Sequence, residues 1–107
     1  MDELVQRLSQ GEHPVEITIR PEPTLQAFKE CIDRGYVHVK FTGTRGGTEL
    51  GVRLDRTASE LGGDFEGGSG RVKLVGDLTL NYVKVKCIAQ IDLATLGGQG
   101  HLEAQPA

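Results

Sequence analysis

By side-chain type, the residues of this chain that could do chemistry are three histidines, His13, His38 and His101, and two cysteines, Cys31 and Cys87. A metal site needs ligands whose spacing lets them converge, and these five stand singly, with no CxxC, HxH or HExxH pair. No metal and no cofactor is therefore expected. A catalytic serine would need a GxSxG elbow, which the chain lacks. Gly68-Ser69-Gly70 resembles a phosphate-cradling turn, but a dinucleotide fingerprint would require glycine at Lys73, and a P-loop would require a following Gly-Lys-Ser/Thr. Glu60, Asp64 and Glu66 fall close together without the fixed spacing of a calcium loop and read as a solvated acidic stretch.

One polar cluster carries a geometric argument. If Gly46-Gly47 centres a hairpin, Phe41 pairs with Val52 and Val39 with Leu54. The outer face then sets His38 across from Asp55, Lys40 across from Arg53 and Thr44 across from Glu49. Two cations facing each other are unfavourable unless an anion, or a carboxylate such as Glu16 or Glu49, lies near. His38, Lys40, Arg53 and Asp55 are thus a candidate site for an anion or an acidic peptide, helped by exposed amides at Gly46-Gly47. The plainer reading is a solvated sheet face whose long side chains splay apart.

These residues are positioned by two strand pairs. In Arg71–Leu93, Val72, Leu74, Leu78 and Leu80 alternate up to Tyr82, after which Val83, Val85, Cys87, Ala89, Ile91 and Leu93 carry the opposite phase. A two-residue turn at Asn81-Tyr82 sets Leu80 opposite Val83, Gly76 opposite Cys87, Asp77 opposite Lys86 and Arg71 opposite Asp92. Tyr82 suits a positive φ poorly, which makes a bulged, bent strand the rival arrangement. The same register places Val75 against Ile88 on the outer face. That pair predicts a cover there, from the chain itself or from a second subunit, and makes Val75 and Ile88 candidate contact residues.

Upstream, Leu4, Val5 and Leu8 share a helical face within residues 1–10, ending at Gly11. Val15, Ile17 and Ile19 alternate between Pro14 and Pro21, a strand whose flanking prolines suit an edge. Leu25, Phe28 and Ile32 form the apolar stripe of a helix with Thr24 as N-cap and Gly35 at the C-terminus, unless Glu22 starts it a turn earlier. Residues 56–70 hold five glycines and read as a long crossover, either a mobile lid or a connection pinned by Leu61 and Phe65. A last strand is expected over His101–Ala104, followed by a frayed tail at 105–107.

Composition bounds the partners. With 107 residues the chain is read as one domain, burying roughly two-thirds of its unfolded surface. Its 15 glycines are about twice the usual share, as a hairpin-rich fold requires. A net charge of −3 disfavours nucleic acid and anionic membranes. No apolar run approaches a membrane span, and Met1-Asp2-Glu3 lacks a secretory start, so a cytoplasmic location with free thiols is expected.

The predicted architecture is α+β: a strongly twisted antiparallel sheet of five to six strands, built from two hairpins and an N-terminal strand, with the Thr24–Arg34 helix packed on one face and a curl toward a half-barrel around that helix as a variant. The predicted function is a non-enzymatic protein-binding or assembly module that also self-associates, with a homodimer as its simplest form. Its support is the missing catalytic constellation, the Val75–Ile88 pair and an exposed strand edge. The alternative is a small-molecule binder or small enzyme with a pocket between sheet and helix under the 56–70 loop, where the gap at Gly76 leaves room.

Overall fold

The computed structural model describes residues 3–19, 24–44, 46–55, 57–80 and 82–104. Alternating patterns give six strands: β1 (His13–Ile17), β2 (Tyr36–Phe41), β3 (Thr48–Leu54), β4 (Arg71–Leu80), β5 (Val83–Asp92) and β6 (Gly97–Ala104). Each pairs antiparallel with the next, and β1 also pairs with β6, so the order β1-β2-β3-β4-β5-β6 closes on itself as a barrel. This overturns the open sheet with a helix on one face. Val15 faces Phe41 of β2 and Gly98 of β6, so the proline-flanked strand is interior to the sheet and offers no edge. Pro14 is tolerated because its carbonyl accepts the Thr42 amide, which puts its missing N–H past the end of β2 rather than against β6. Pro14, which reads as an edge signal, thus sits at a strand end, and Pro21 lies outside the described residues.

Two helices serve the barrel. In α1 (Glu3–Leu8), Val5 and Leu8 are fully buried; in α2 (Leu25–Arg34), Phe28 is fully buried and Ile32 nearly so. All four join the cluster that fills the barrel with Val37, Val39, Phe41, Leu74, Ile91 and Leu102. Because α2 links the end of β1 to the start of β2, it lies at one mouth of the barrel, whereas α1 precedes β1 and lies at the other. Thr24 is the N-cap, accepting the Ala27 amide at 3.1 Å, and Gly35 ends α2 in the left-handed region. An earlier start at Glu22 falls outside the described residues, as does the 105–107 tail.

The β4–β5 pairing runs as expected through ten residue pairs, from Arg71–Asp92 to Leu80–Val83, with a two-residue turn between them. Tyr82 takes that turn at φ 69°. In the first hairpin the pairing is displaced: Phe41 faces Thr48, Val39 faces Leu50, Lys40 faces Glu49 and Tyr36 faces Arg53. The connection is longer than a tight Gly46-Gly47 turn. Gly47 donates to the Thr44 carbonyl at 3.0 Å, and the Thr44 and Thr48 hydroxyls meet at 2.7 Å, so threonines close it together with the two positive-φ glycines. The displacement is even in residue number, so the inward face is unchanged while the outer pairs are exchanged.

The crossover is pinned. Phe65 packs on Phe28 with ring centroids 5.9 Å apart, and Leu61 leans on the core. Glu60 exchanges both backbone hydrogen bonds with Lys73, at 2.9 and 2.8 Å. Between β3 and that bridge, Ser59 stands in for a strand residue: its Oγ accepts the Val75 amide at 2.9 Å and lies 2.7 Å from the Asp55 carbonyl and 3.1 Å from that of Val75. Ser59→Ala leaves the Val75 N–H without a partner and is expected to cost about 1–3 kcal/mol, read by urea denaturation together with faster amide exchange at Val75.

Candidate functional site

Among the described residues no group of three or more histidine, cysteine, aspartate or glutamate side chains could hold a metal. His13 Nε2 lies 2.9 Å from both the Arg7 and Gln10 carbonyls and ties the end of α1 to β1. His101 is bracketed by Glu103, 3.1 Å from Nε2, and by Glu12, 3.0 Å from Nδ1 but off the line of a hydrogen bond. Asp64 accepts the Gly67 amide at 2.9 Å and so caps its own turn. These contacts account for the scattered polar residues as structure.

The two thiols are free. Cys87 faces the core, 2% exposed, and burial pushes its thiol up from 9.0 to about 12. Since the proton is held more tightly in the fold than in the unfolded chain, this contribution is complete below pH 9 and is lost as the pH rises toward 12. Between pH 8 and 10.5 wild type is therefore expected to lose about 2 kcal/mol more stability than Cys87→Ala, measured from paired urea titrations.

The candidate residues on β2 and β3 do not converge as expected. Lys40 faces Glu49, and Arg53 lies across from Tyr36 on one side and Asp77 on the other, so the Lys40–Arg53 pair that motivated an anion site does not form. Asp55 Oδ1 accepts the Thr57 and Ala58 amides at 3.0 and 3.2 Å, which makes it a turn residue. Val75 does face Ile88, but it is buried, with Ser59 bonded to its backbone, so it presents no apolar patch.

What the structure assembles instead is a polar surface around Tyr36. Tyr36 is half exposed and meets His38 edge to face, with centroids 5.1 Å apart. Its ring lies across Gly51, where a Cβ would stand 1.9 Å from the Tyr36 hydroxyl. Only glycine leaves room for the ring there. One side of the ring opens on a cleft of about 390 Å³ lined by Tyr36, Gly51, Arg53, Asp77, Leu78, Thr79 and Lys84. A second, of about 610 Å³, is lined by Thr18, Ile19, Cys31, His38, Glu49 and Gly51. Both are open to solvent. A third, of about 560 Å³ between Arg71, Gln90, Asp92 and Gly97–Gln99, involves none of the candidate residues.

Under the 57–70 segment, by contrast, Phe28, Ile32 and Leu74 are buried and Phe65 packs on Phe28. The space at Gly76 is also filled: a Cβ there would stand 2.4 Å from the Arg53 carbonyl and from Val52 Cγ1.

Sequence reasoning placed none of Tyr36, Gly51, Thr79, Lys84 and Tyr82 in a candidate site. The one signal was Tyr82 itself, a bulky residue at a turn that demands positive φ. Tyr82 is fully exposed, at the tip of a hairpin whose Leu78, Leu80 and Val83 are only partly buried. Pairing of β4 with β3 ends at Asp77 and pairing of β5 with β6 ends at Val85, so among the described residues Leu78–Lys84 pairs only with itself.

The sequence matches no protein-family model and no curated protein. No helix among the described residues is long and apolar enough to cross a membrane.

Proposed function

We propose that this chain is a non-enzymatic protein-binding module, acting on a partner protein or a second copy of itself. The observation that carries this is Tyr82. A non-glycine residue in the left-handed region costs about 1–2 kcal/mol, and a fully exposed side chain recovers none of it by packing. A tyrosine held there on a projecting, partly apolar hairpin has the large, rigid, amphipathic character of an interface anchor. The filled barrel adds to this: hydrogen-bonding and ionic side chains lie outside it, on open clefts.

Tyr82→Gly separates folding from binding. Glycine takes φ 69° without strain, so the variant is expected to gain about 1 kcal/mol and to melt about 4 °C higher. Native mass spectrometry of protein purified gently from its own host should show wild type carrying a polypeptide, either a partner or a second copy, and the more stable variant without it. Equal occupancy in the two proteins would remove the reading. A retained small molecule with no polypeptide in either protein would also count against it.

A further inference from the structure

The barrel is closed unevenly. Ten residue pairs join β4 to β5 and eight join β5 to β6, but only Arg53–Asp77 and Leu54–Gly76 join β3 to β4. Toward the barrel's second mouth the seam stops. The direction of the groups beyond it follows from strand alternation. The Leu54 amide donates to Gly35, on the β2 side, and the Asp55 amide donates to the Val75 carbonyl, on the β4 side. Odd-numbered residues of β3 therefore aim their backbone groups at β4, and Gly51 is one of them. On β4, the Val75 amide and carbonyl both turn toward β3, where they meet Ser59 and Asp55. Thr79, four residues on, turns the same way. Gly51 and Thr79 are thus the next rung of the seam, and neither has a partner across it among the described residues.

Where the seam is closed, the chain supplies its own substitute, the Ser59 hydroxyl and the Glu60–Lys73 bridge. Where it is open, the 390 Å³ cleft takes its place. In the open cleft these amides and carbonyls face solvent, and another extended backbone is the group that meets both kinds at strand spacing. The Tyr36 hydroxyl, lying over Gly51, supplies a further donor at the cleft. Charge then selects the segment. The cleft carries two cations, Arg53 and Lys84, to one carboxylate, Asp77, whose register partners are Arg53 and Lys86. In a chain of net charge −3 this is a local positive excess, complementary to acidic side chains.

Resting on the protein-binding reading above, we infer that the open β3–β4 seam receives an extended acidic segment of a partner polypeptide, whose backbone completes the rung at Gly51 and Thr79 and whose carboxylates meet Arg53 and Lys84. Tyr82 stands at the tip of the same hairpin, three residues beyond Thr79.

The probe is the peptide acetyl-Glu-Val-Glu-Val-Glu-Val-amide, with its lysine-for-glutamate counterpart as control, read by amide-resolved NMR and hydrogen exchange on the full chain. In the free protein, the Gly51 and Thr79 amides should exchange at least about 100-fold faster than those of Arg53 and Asp77. Millimolar acidic peptide should shift both and slow their exchange at least about tenfold, the lysine peptide should do neither, and Arg53→Ser or Lys84→Ser should weaken binding about tenfold. Gly51 and Thr79 amides already as slow as their neighbours would overturn the inference, because the seam would then be closed. So would an absence of shifts at the seam, or equal binding of the two peptides. If the host-purified protein still carries a polypeptide after any of these failures, protein binding stands and only its location at the seam is lost. If it carries none in either state, the broader reading fails as well.

Discussion

Gly98→Ala is expected to cost more than about 4 kcal/mol, in the exceptional range for one substitution and comparable with the whole stability of a domain this size. A Cβ at Gly98 would stand 1.8 Å from the Gln90 carbonyl and 2.9 Å from its carbon, both backbone atoms of β5. A flexible side chain could yield, but a strand held on both sides cannot. β5 is bonded to β4 as well as β6, and β6 to β1, so moving β6 outward must break hydrogen bonds with β5 or with Val15 and His13 of β1. The check is far-ultraviolet circular dichroism with a urea titration, beside Gly62→Ala, where an added Cβ meets nothing within 4 Å and a change below about 0.5 kcal/mol is expected. Equal stability of the two variants would mean that β5 and β6 stand further apart than described.

Phe28→Ala carries the second-largest effect, about 3–5 kcal/mol. Phe28 is fully buried, its ring enters the mouth of the barrel from α2, and Phe65 rests on it. Truncation therefore does two things. It leaves a cavity among residues too rigidly paired to collapse, and it releases the anchor of the crossover, whose packing on an aromatic partner is itself worth about 0.5–1.5 kcal/mol. Urea denaturation should show the full loss, and hydrogen exchange should show residues 61–70 opening well before the strands. Phe65→Ala, removing a half-buried ring, should open the same residues at a much smaller global cost. A Phe28→Ala protein whose crossover stays protected would show that Leu61 and the Glu60–Lys73 bridge suffice to hold it.

The two hairpins show how far local pattern reaches. In the second, charges on the outer face agreed with apolar residues on the inner one, so every pair from Arg71–Asp92 to Leu80–Val83 could be written from sequence. In the first, the inner face was equally clear but the turn was not. The double glycine suggested a centre, whereas Thr44 and Thr48 closed a longer loop that moved Lys40 from Arg53 to Glu49. Inward alternation survives any even displacement, so it cannot report one. A candidate site on the outer face depends on the part of the register that alternation leaves open.

The glycines marked a second boundary. Gly97-Gly98-Gln99-Gly100 reads as a break because glycine packs nothing in a strand, yet it forms half of β6, since Gly98 and Gly100 lie where the β5 carbonyls of Gln90 and Ile88 come within 1.8 and 2.8 Å of a Cβ position. Gly76 likewise suggested room for a ligand and instead admits the backbone of β3. Local propensity penalises these residues, and only contact between strands distant in sequence rewards them.

By itself the sequence determined the strand phases, the α2 caps, the full β4–β5 register, the inward placement of Cys87 and the lack of metal-ligand spacing, because each rests on residues within a few positions or one turn of one another. The tertiary structure alone decided that β1 meets β6 and closes the barrel, that α2 covers a mouth rather than a face, and that the β3–β4 seam stays open at Gly51 and Thr79. Those outcomes depend on how six twisted strands stagger around a closed ring. Stagger is a property of the whole circuit, written in no single segment of the chain.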